Sequence, residues 1–568
     1  MASVERVTRR RRGAIVGLGI VVTLGVSSCV GIPSNGPVEA GPEFSAATET
    51  DTVFTPIGPQ PGAEPLAILE GFIDAFTGTQ GDYAVARQFL SSSFQAQWDP
   101  RHSVAIRTGS ETFRVVDAGT MEYSFTTRAG LDAFGSYTAN PLETQVLSYR
   151  FVHEDGEWRI AEAPPGIVLA ESTFRTIFRQ HSLYFYDLTL TRLVPDQRWF
   201  ASGGTSTRIV NALLEGVPEW LEGAVVSQFP EGTALAPGTT VSVMSSVAQV
   251  ELTSEAASAS PRQRQLMKLQ LSESLASVSA VGSVELSVSG SLLAVDPLGT
   301  DSPTIDPRVD PRPLVLRDGE FGYAAGEELT PISQVSQKVA ELEPTSVTLS
   351  VLGNSAAVLA GDGTTWIVRA GQIPPRRLDT RPNLAPPSFD DYGYTWSIPR
   401  DHPDQLLVFD FEGAEYPVET GLSAQSRVVS LDVSRDGTRV AILLQTVEGP
   451  RLVVSAVVRD ATQGYVATSL GPPIFDVFLE PGVGIDATWV DESSVATLEI
   501  SGEVYTSMLY DIGGFAVPLG RTEPATAIVG GNGRTGIRLL GADGSVSSPR
   551  GSGWQRTSVT AEVIATQR

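Results

Sequence analysis

Histidine is the side chain most often used for acid–base catalysis near neutral pH and for holding transition metals. The chain has four histidines, far apart and in no spacing typical of a metal site: His102, His153, His181 and His402. Ser103 follows His102, but a lone pair of this kind is more typical of a polar surface than of a nucleophile with its base. The esterase motif Gly-x-Ser-x-Gly does not occur in the sequence. These residues therefore predict neither a metal site nor catalysis.

Carboxylates are numerous enough to supply the acid and base of a glycosidase. Two candidate pairs stand close together in the sequence, Asp390 with Asp391 and Asp410 with Glu412. Such a pair needs a separation of about 5 Å, or of about 6.5–9.5 Å, across a cleft, and spacing along the chain does not provide that distance. We expect both pairs to lie on solvated turns of an acidic surface.

Two further motifs point only weakly to a ligand. Asp301, Asp306 and Asp310 have oxygen ligands suited to calcium, but they lack the regular spacing and the glycine of a calcium loop. The glycine-rich residues 530–535 lack the Gly-Lys-Ser/Thr end of a phosphate loop, and their position between two predicted strands indicates a hairpin turn. We expect no catalytic residue, no cofactor and no metal in this chain.

The first 28 residues have the composition of a signal peptide. Arg6 and four consecutive arginines at 9–12 form a basic segment, and residues 13–26 form an apolar core. That core is too short to span a bilayer, which needs about 20 apolar residues. A short apolar core behind a basic flank predicts export, with residues 1–28 removed afterwards.

Cys29 is the only cysteine in the sequence, so its thiol has no disulfide partner within the chain. It follows directly on Val26, Ser27 and Ser28, an arrangement similar to a bacterial lipobox. We predict that Cys29 becomes an N-palmitoyl, S-diacylglycerol cysteine, whose acyl chains anchor the protein stably in the outer face of the cell membrane. The alternative is an ordinary secretory signal followed by a chance cysteine.

Composition and charge limit the function classes. The 568 residues, 41% of them hydrophobic, are enough for about three domains. The formal net charge of −25 argues against binding to nucleic acid and against a polybasic membrane-binding face. Beyond the signal peptide no segment has 18 consecutive apolar residues, so we expect no further membrane crossing.

Residues 29–63 are rich in Gly, Pro, Ser, Thr and acidic residues, which predicts a flexible tether. Residues 64–170 then read as an α+β domain with a cone-like sheet. Pro65 suits the first turn of a helix whose inner face carries Leu66, Leu69, Phe72, Ile73 and Phe76. Asp82 is expected to cap a second helix, with Tyr83, Ala86, Phe89 and Leu90 inward. Asp155-Gly156 predicts a hairpin between strands near 144–152 and 158–160.

Residues 173–293 read as an α/β domain in which one sheet is covered by two helices. A strand is expected over 182–191, and a helix over 205–214 that ends at Gly216. Ser260 and Gln263, around Pro261, form a predicted capping box for a second helix. Met267, Leu271 and Leu275 lie on its inner face, and strands are expected around Val250 and Leu286.

Residues 311–568 read as an all-β propeller. Alternating apolar strands meet tight turns near Asn354, Asp391, Asp436, Asp491 and Asn532, at intervals close to the size of one blade. Five blades fit these turns, and a sixth needs one poorly marked copy. The segment 312–323 is expected to close the ring with the end of the chain. A β-sandwich is the competing fold.

These features together resemble the LpqB family of actinobacterial lipoproteins. The resemblance rests first on residues 29–33, Cys-Val-Gly-Ile-Pro, and on an N-terminal pattern of Pro65, Gly71, Phe72, Tyr83, Ala86, Arg87, Trp98 and Pro100. In the second domain, Tyr184-Phe185 followed by Leu-Val-Pro-Asp at 193–196 and Pro-Glu-Gly-Thr at 230–233 is similar to a GerM-type sporulation and germination domain. The resemblance also implies a C-terminal propeller.

Two functions stay open. The resemblance implies an accessory lipoprotein on the extracytoplasmic face of the membrane that acts on the ectodomain of an Mtr-type sensor histidine kinase and on envelope homeostasis, and that is not an enzyme. The alternative is a protein that binds or remodels cell-wall glycan or peptide. Exposed tryptophans and two facing carboxylates in a cleft would favour it, whereas a plugged ring would count against it; the candidate sugar platforms are Trp366, Trp396, Trp489 and Trp554.

Overall fold

The structure is a computed structural model that describes residues 54–568. The predicted signal peptide, Cys29 and most of the predicted tether lie outside these residues. The end of the tether segment contacts the first domain, because the backbone N–H of Gly62 donates to a carboxylate oxygen of Glu157 at 2.8 Å.

The first domain packs two helices against a five-stranded sheet of order β4-β3-β2-β1-β5, antiparallel except for the parallel pair of β1 and β5. The elements are α1 (Pro65–Asp74), α2 (Gln80–Arg87), β1 (Val104–Asp117), β2 (Thr120–Leu131), β3 (Tyr137–Glu154), β4 (Glu157–Glu162) and β5 (Ile167–Ala170). The predicted α+β class is confirmed. Asp155 and Gly156, both with positive φ, form the predicted turn between β3 and β4.

Two details of the predicted helices are wrong. Leu66 is 43% exposed although Leu69, Phe72 and Ile73 are buried, because the helix face toward the sheet is narrower than the apolar stripe. Asp82 does not cap α2. Its backbone is left-handed, with φ 59°, and its carboxylate pairs instead with Arg87 at 2.6 Å and Arg101 at 2.9 Å.

The second domain has two small sheets instead of the single predicted sheet. The first sheet has strand order β7-β6-β8, and the second has strand order β12-β11-β10-β9. In the second sheet β10 and β11 are parallel, and helix α5 connects them along the chain. The elements are α3 (Glu171–Ile177), β6 (Phe178–Asp187), β7 (Leu193–Ala201), α4 (Thr205–Leu214), β8 (Val225–Val226), β9 (Ser242–Met244), β10 (Val247–Leu252), α5 (Pro261–Leu275), β11 (Ser283–Val288) and β12 (Ser291–Leu292).

In this domain the sequence predicts the position of both helices well and that of the first strand less well. The hydroxyl of Ser260 accepts the N–H of Gln263 at 3.3 Å, as a cap should, but the amide of Gln263 donates to Gln228 and does not complete the box. The strand predicted over 182–191 ends at Asp187, because the Asp187 carboxylate accepts the backbone N–H groups of Thr191 and Arg192 and forms a turn there.

The third domain is a ring of six four-stranded blades. Blade I contains β13 (Leu314–Arg317), β14 (Glu320–Ala325), β15 (Glu328–Thr330) and, from the end of the chain, β36 (Val563–Gln567). Helix α6 (Ser336–Ala340) follows. Blade II contains β16 (Ser346–Leu349), β17 (Ser355–Leu359), β18 (Thr365–Arg369) and β19 (Arg376–Asp379). Blade III contains β20 (Ser388–Phe389), β21 (Thr395–Ser397), β22 (Leu406–Phe409) and β23 (Glu415–Val418).

Blade IV contains β24 (Arg427–Val433), β25 (Arg439–Thr446), β26 (Gly449–Asp460) and β27 (Val466–Phe478). Blade V contains β28 (Val483–Trp489), β29 (Ser494–Ser501), β30 (Val504–Asp511) and β31 (Ala516–Thr522). Blade VI contains β32 (Ala525–Val529), β33 (Arg538–Gly541), β34 (Ser545–Arg550) and β35 (Gly553–Thr560). The inner strands β36, β16, β20, β24, β28 and β32 contact one another in this order around the ring.

The propeller prediction is confirmed, and so is the closure of the ring by the segment 312–323, since β13 pairs with both β14 and β36. The blade that the turn spacing did not show is blade I. Its inner strand comes from the other end of the domain, so no strand–turn–strand unit marks it in the sequence.

Candidate functional site

One face of the propeller is covered by the rest of the protein. The turns that follow the inner strands of blades III to VI all emerge on this face. Arg192 Nη2 pairs with Asp391 at 2.8 Å, and the hydroxyl of Tyr184 donates to Glu492 at 2.8 Å. In the linker before the propeller, the carbonyl oxygen of Val309 accepts from Asn532 at 2.8 Å. Four of the five turns that mark the repeat in the sequence, those of blades III to VI, thus contact the second domain or its linker.

The first domain also reaches the propeller, through Phe515 of blade V. The Phe515 ring centroid lies 5.0 Å from that of Tyr137 and 5.6 Å from that of Trp199, and the Arg175 guanidinium stands 3.7 Å above the ring. Trp199 Nε1 donates to the carbonyl oxygen of Gly513 at 2.8 Å. Aromatic and cation–π contacts of this kind hold the three domains together.

Buried carboxylates line this junction, and burial raises their pKa values. The pKa of Glu492 rises to about 7 and that of Asp511 to about 6, because both are removed from water. Burial also raises the pKa of Asp306 and of Asp391, although each lies beside an arginine that acts in the opposite direction. The protein environment of the junction therefore favours the protonated, neutral form of several carboxyl groups.

A cavity of about 350 Å³ runs along the axis of the propeller and is lined by its inner strands. Near the end of the inner strands closer to the covered face, Arg568 binds Asp432, which lines the cavity. Its backbone N–H donates to Leu349 at 2.7 Å, and its Nε donates to a carboxylate oxygen of Asp432 at 2.9 Å. The same carboxylate accepts the backbone N–H of Trp489 at 2.9 Å and the hydroxyl of Thr488 at 3.1 Å.

Toward the opposite face the cavity is polar. Thr345, Arg400 and Glu562 stand near the starts of inner strands, and Asp486 faces the cavity between them. Burial raises the pKa of Asp486 to about 7, and its carboxylate accepts the backbone N–H groups of Ile528 at 3.0 Å and of Ala487 at 2.9 Å. The Asp432 carboxylate is thus paired with an arginine, whereas the Asp486 carboxylate is held by two backbone N–H groups.

The candidate acid pairs occupy two different environments. Asp410 and Glu412 lie on a turn as predicted, with Asp410 accepting the N–H of Glu412 at 2.9 Å. The prediction is wrong for Asp390, which is completely buried. Its carboxylate pairs with the equally buried Arg459 at 2.7 Å and accepts the indole N–H of Trp396 at 2.9 Å. A buried charge is tolerated when it is paired and hydrogen-bonded in this way.

The other candidate ligands are also accounted for. Asp301, Asp306 and Asp310 each pair with an arginine. Residues 530–535 connect β32 and β33, as a blade turn. His181 is buried, with Nδ1 2.7 Å from the hydroxyl of Ser277 and its pKa lowered to about 4 by burial. Within residues 54–568 no three His, Cys, Asp or Glu side chains are grouped as a metal site requires.

The four candidate tryptophans do not form a sugar platform in the axial cavity, since none of them lines it. Trp396 and Trp489 are buried in the blades, and Trp366 and Trp554 are partly buried.

The uncovered face of blades IV and V carries apolar side chains that sequence reasoning missed. We call this set, which consists of Val447, Phe478, Val483 and Val504, the open-face patch. Val447 is 92% exposed, and the other three are between 40% and 53% exposed. Gln445, two residues before Val447, donates to the carbonyl oxygen of Gly482, the residue before Val483, across the junction of the two blades. Val447 lies in a turn and the other three lie at strand ends, where apolar side chains that stay exposed can mark an interaction surface.

No helix within the described part of the chain has both the length and the apolar character needed to cross a membrane.

Comparison with protein families places each domain. The family model "Lipoprotein LpqB, N-terminal domain" matches residues 58–175, "Sporulation and spore germination" matches residues 182–294, and "Lipoprotein LpqB beta-propeller domain" matches residues 319–563. The three matches follow the order and approximate extents of the three domains in the structure.

Individual relatives extend over most of the chain. Lipoprotein LpqB of Cutibacterium acnes is 25% identical over 94% of this chain and 91% of its own length. Lipoprotein LpqB of Thermobifida fusca is 26% identical over 76% of this chain and 79% of its own. That of Bifidobacterium longum is 32% identical over 39% of this chain and 41% of its own. With three domains matched in order and relatives along nearly its full length, the chain belongs to the LpqB family of actinobacterial lipoproteins.

Proposed function

We propose that this protein is an accessory lipoprotein, held on the extracytoplasmic face of the cell membrane by acylated Cys29, that binds a sensor histidine kinase ectodomain of the Mtr type and modulates its output. The observation that carries the proposal is the open-face patch. The first two domains pack on one side of the propeller, whereas apolar side chains are exposed on the other side. Aromatic and aliphatic groups surrounded by polar residues are typical of protein-binding surfaces.

The composition of the patch suits a protein partner. The guanidinium carbon of Arg451 lies 5.5 Å from the centroid of the Phe478 ring, and Arg451 also pairs with Asp476. Aromatic residues and arginine are both enriched at protein–protein interfaces. The cell-wall alternative gains no comparable support, because no aromatic ring lines the axial cavity.

The test uses the soluble mature chain with Cys29→Ser and a purified sensor-kinase ectodomain in a biosensor titration. We expect saturable binding that the double variant Val447→Asp/Val504→Asp weakens at least about ten-fold, the effect of losing a central apolar contact. The matched control is Leu292→Asp, which changes a 68% exposed leucine of the second domain and should leave binding unaltered.

The possible outcomes test the identity of the partner and the position of the binding surface separately. Binding that the double variant leaves unchanged would keep the partner and reject the open-face patch. Absence of binding, together with unchanged kinase output in cells that lack the protein, would reject the proposed function. Binding to purified wall glycan and not to the ectodomain would favour the alternative.

A further inference from the structure

A second cavity, of about 250 Å³, lies between the first and second domains, and none of its lining residues belongs to the propeller or the open-face patch. Its floor is apolar and buried, formed by Val104 and Leu131 of the first domain and by Phe178, Trp199 and Phe200 of the second. Cavities at domain interfaces with an apolar floor and a few polar groups are the usual form of a small-molecule site.

Two guanidinium groups converge on this cavity from different domains. Arg208 comes from α4 and Arg101 from the loop before β1. They are close enough that the charge of Arg101 adds to burial in lowering the pKa of Arg208. The head of Arg208 donates to the carbonyl oxygens of Ala201 at 3.0 Å and Gly203 at 2.9 Å.

The positive charge at the cavity is not fully compensated. The nearby Asp82 carboxylate acts on the Arg208 charge through space and opposes the lowering of its pKa. Asp82, which pairs with Arg101, is shared with Arg87. Two carboxylates reach the rim, but Asp132 accepts the backbone N–H groups of Phe134 and Ser136 in its own turn. The other, Glu215, is exposed at the end of α4.

We propose that this cavity binds a small amphipathic anion, with its carboxylate, sulfonate or phosphate group between Arg101 and Arg208 and its apolar body on the floor formed by Trp199 and Phe200. A partly buried arginine without a counter-ion gains most from an anionic ligand, because charge-assisted hydrogen bonds are the stronger class. The volume limits the apolar body to about the size of one aromatic ring with a short chain. This site is independent of the proposed kinase contact.

The test compares 4-phenylbutyrate with its cationic match, 4-phenylbutylamine, by ligand-observed NMR and calorimetry on the mature chain with Cys29→Ser. We expect saturable binding of the acid and at least about ten-fold weaker binding of the amine, as for loss of one charged hydrogen bond. Arg208→Gln and Arg101→Gln should each weaken binding of the acid by a similar factor. Ala212→Phe, which fills the cavity, should abolish binding.

Arg114→Gln provides the matched control, since Arg114 is exposed on β1, pairs with Glu122 and does not line the cavity. Its affinity for the acid should equal that of the parent chain. If Arg208→Gln fails to fold, the proposal is still tested by the difference in affinity between acid and amine and by the loss of binding to Ala212→Phe. Equal binding of acid and amine, undiminished binding to Ala212→Phe, or no saturable binding of the acid would each overturn the proposal.

Discussion

Arg568 forms an ion pair with Asp432, which lines the axial cavity of the propeller, and Arg568 Nε lies 2.9 Å from the carboxylate. Both side chains are buried, and the guanidinium also donates to Thr488 at 2.6 Å and to the carbonyl oxygen of Trp489 at 3.0 Å. The pair joins the last residue of the sequence to the inner strands of blades IV and V. It ties blade I, which contains β36, to the opposite side of the ring.

We expect Arg568→Ala to destabilise the protein by on the order of 3 kcal/mol, because it leaves the Asp432 carboxylate buried without its counter-ion. Chemical unfolding monitored by tryptophan fluorescence measures the change. Arg556→Ala is the control, since Arg556 pairs with Asp543 but is 56% exposed, and its loss should cost less than about 1 kcal/mol. Equal effects of the two substitutions would contradict the structural role of the axial pair.

The acid pairs singled out in the sequence predict a second contrast. Asp390→Asn leaves Arg459 fully buried and unpaired, and we expect a loss of on the order of 3 kcal/mol in the free energy of unfolding. Asp410→Asn changes a carboxylate on a turn and should shift stability by less than about 1 kcal/mol. Thermal unfolding of both variants measures the two losses of stability. A larger loss for Asp410→Asn than for Asp390→Asn would contradict the burial of Asp390.

The junction between the second domain and the propeller should be sensitive to pH. Glu492 has its pKa raised by burial to about 7 from a usual value of 4.5, so the folded protein holds its proton over a range in which the unfolded chain has lost it. This contribution to stability is present at low pH and is lost as pH rises from about 4.5 to about 7. Deprotonation at higher pH places a charge beside Tyr184.

We therefore expect Glu492→Gln to be nearly neutral at pH 5 and to raise the melting temperature at pH 8. Calorimetry of both proteins across this pH range measures the difference between their melting temperatures. Taking this difference removes the effect of groups that titrate in both proteins. One such group is His181, whose lowered pKa makes stability rise with pH. Glu412→Gln, at an 80% exposed position, serves as control. A constant difference between parent and Glu492→Gln at all pH values would count against the raised pKa.

Phe515 predicts how strongly the domains are coupled. Its ring packs on Tyr137, Phe174 and Trp199, so Phe515→Ala should cost about 3–5 kcal/mol and expose the junction. Limited proteolysis should then cut between the second domain and the propeller sooner than in the parent chain. Phe478→Ala removes a ring that is 52% exposed and should leave the cleavage pattern unchanged. Identical digestion of both variants would argue against coupling through Phe515.

Much of the fold follows from signals that act over a few residues. Helix α4 occupies the predicted residues 205–214, Ser260 caps α5, and the turn at Asp155 joins the predicted strands. These features depend on local periodicity, capping and turn geometry, which the sequence displays directly.

Features that depend on residues distant in the chain were not predictable in the same way. Blade I combines strands from the two ends of the propeller, and the burial of Asp390 depends on an arginine in another blade. The cavity between the first two domains takes Arg101 from one and Arg208 from the other. No short motif marks any of these, because each is created by tertiary packing.

The composition of blade I also has a consequence for biogenesis. β13 pairs with β36, and all the strands of blades II to VI lie between them in the chain. In a polypeptide that emerges N-terminus first, β13 therefore presents an unpaired edge until β36 has followed it. Unpaired strand edges promote aggregation, and pairing over such sequence separations is slow. We therefore expect ring closure to be a late step of folding, which follows the synthesis of all six blades.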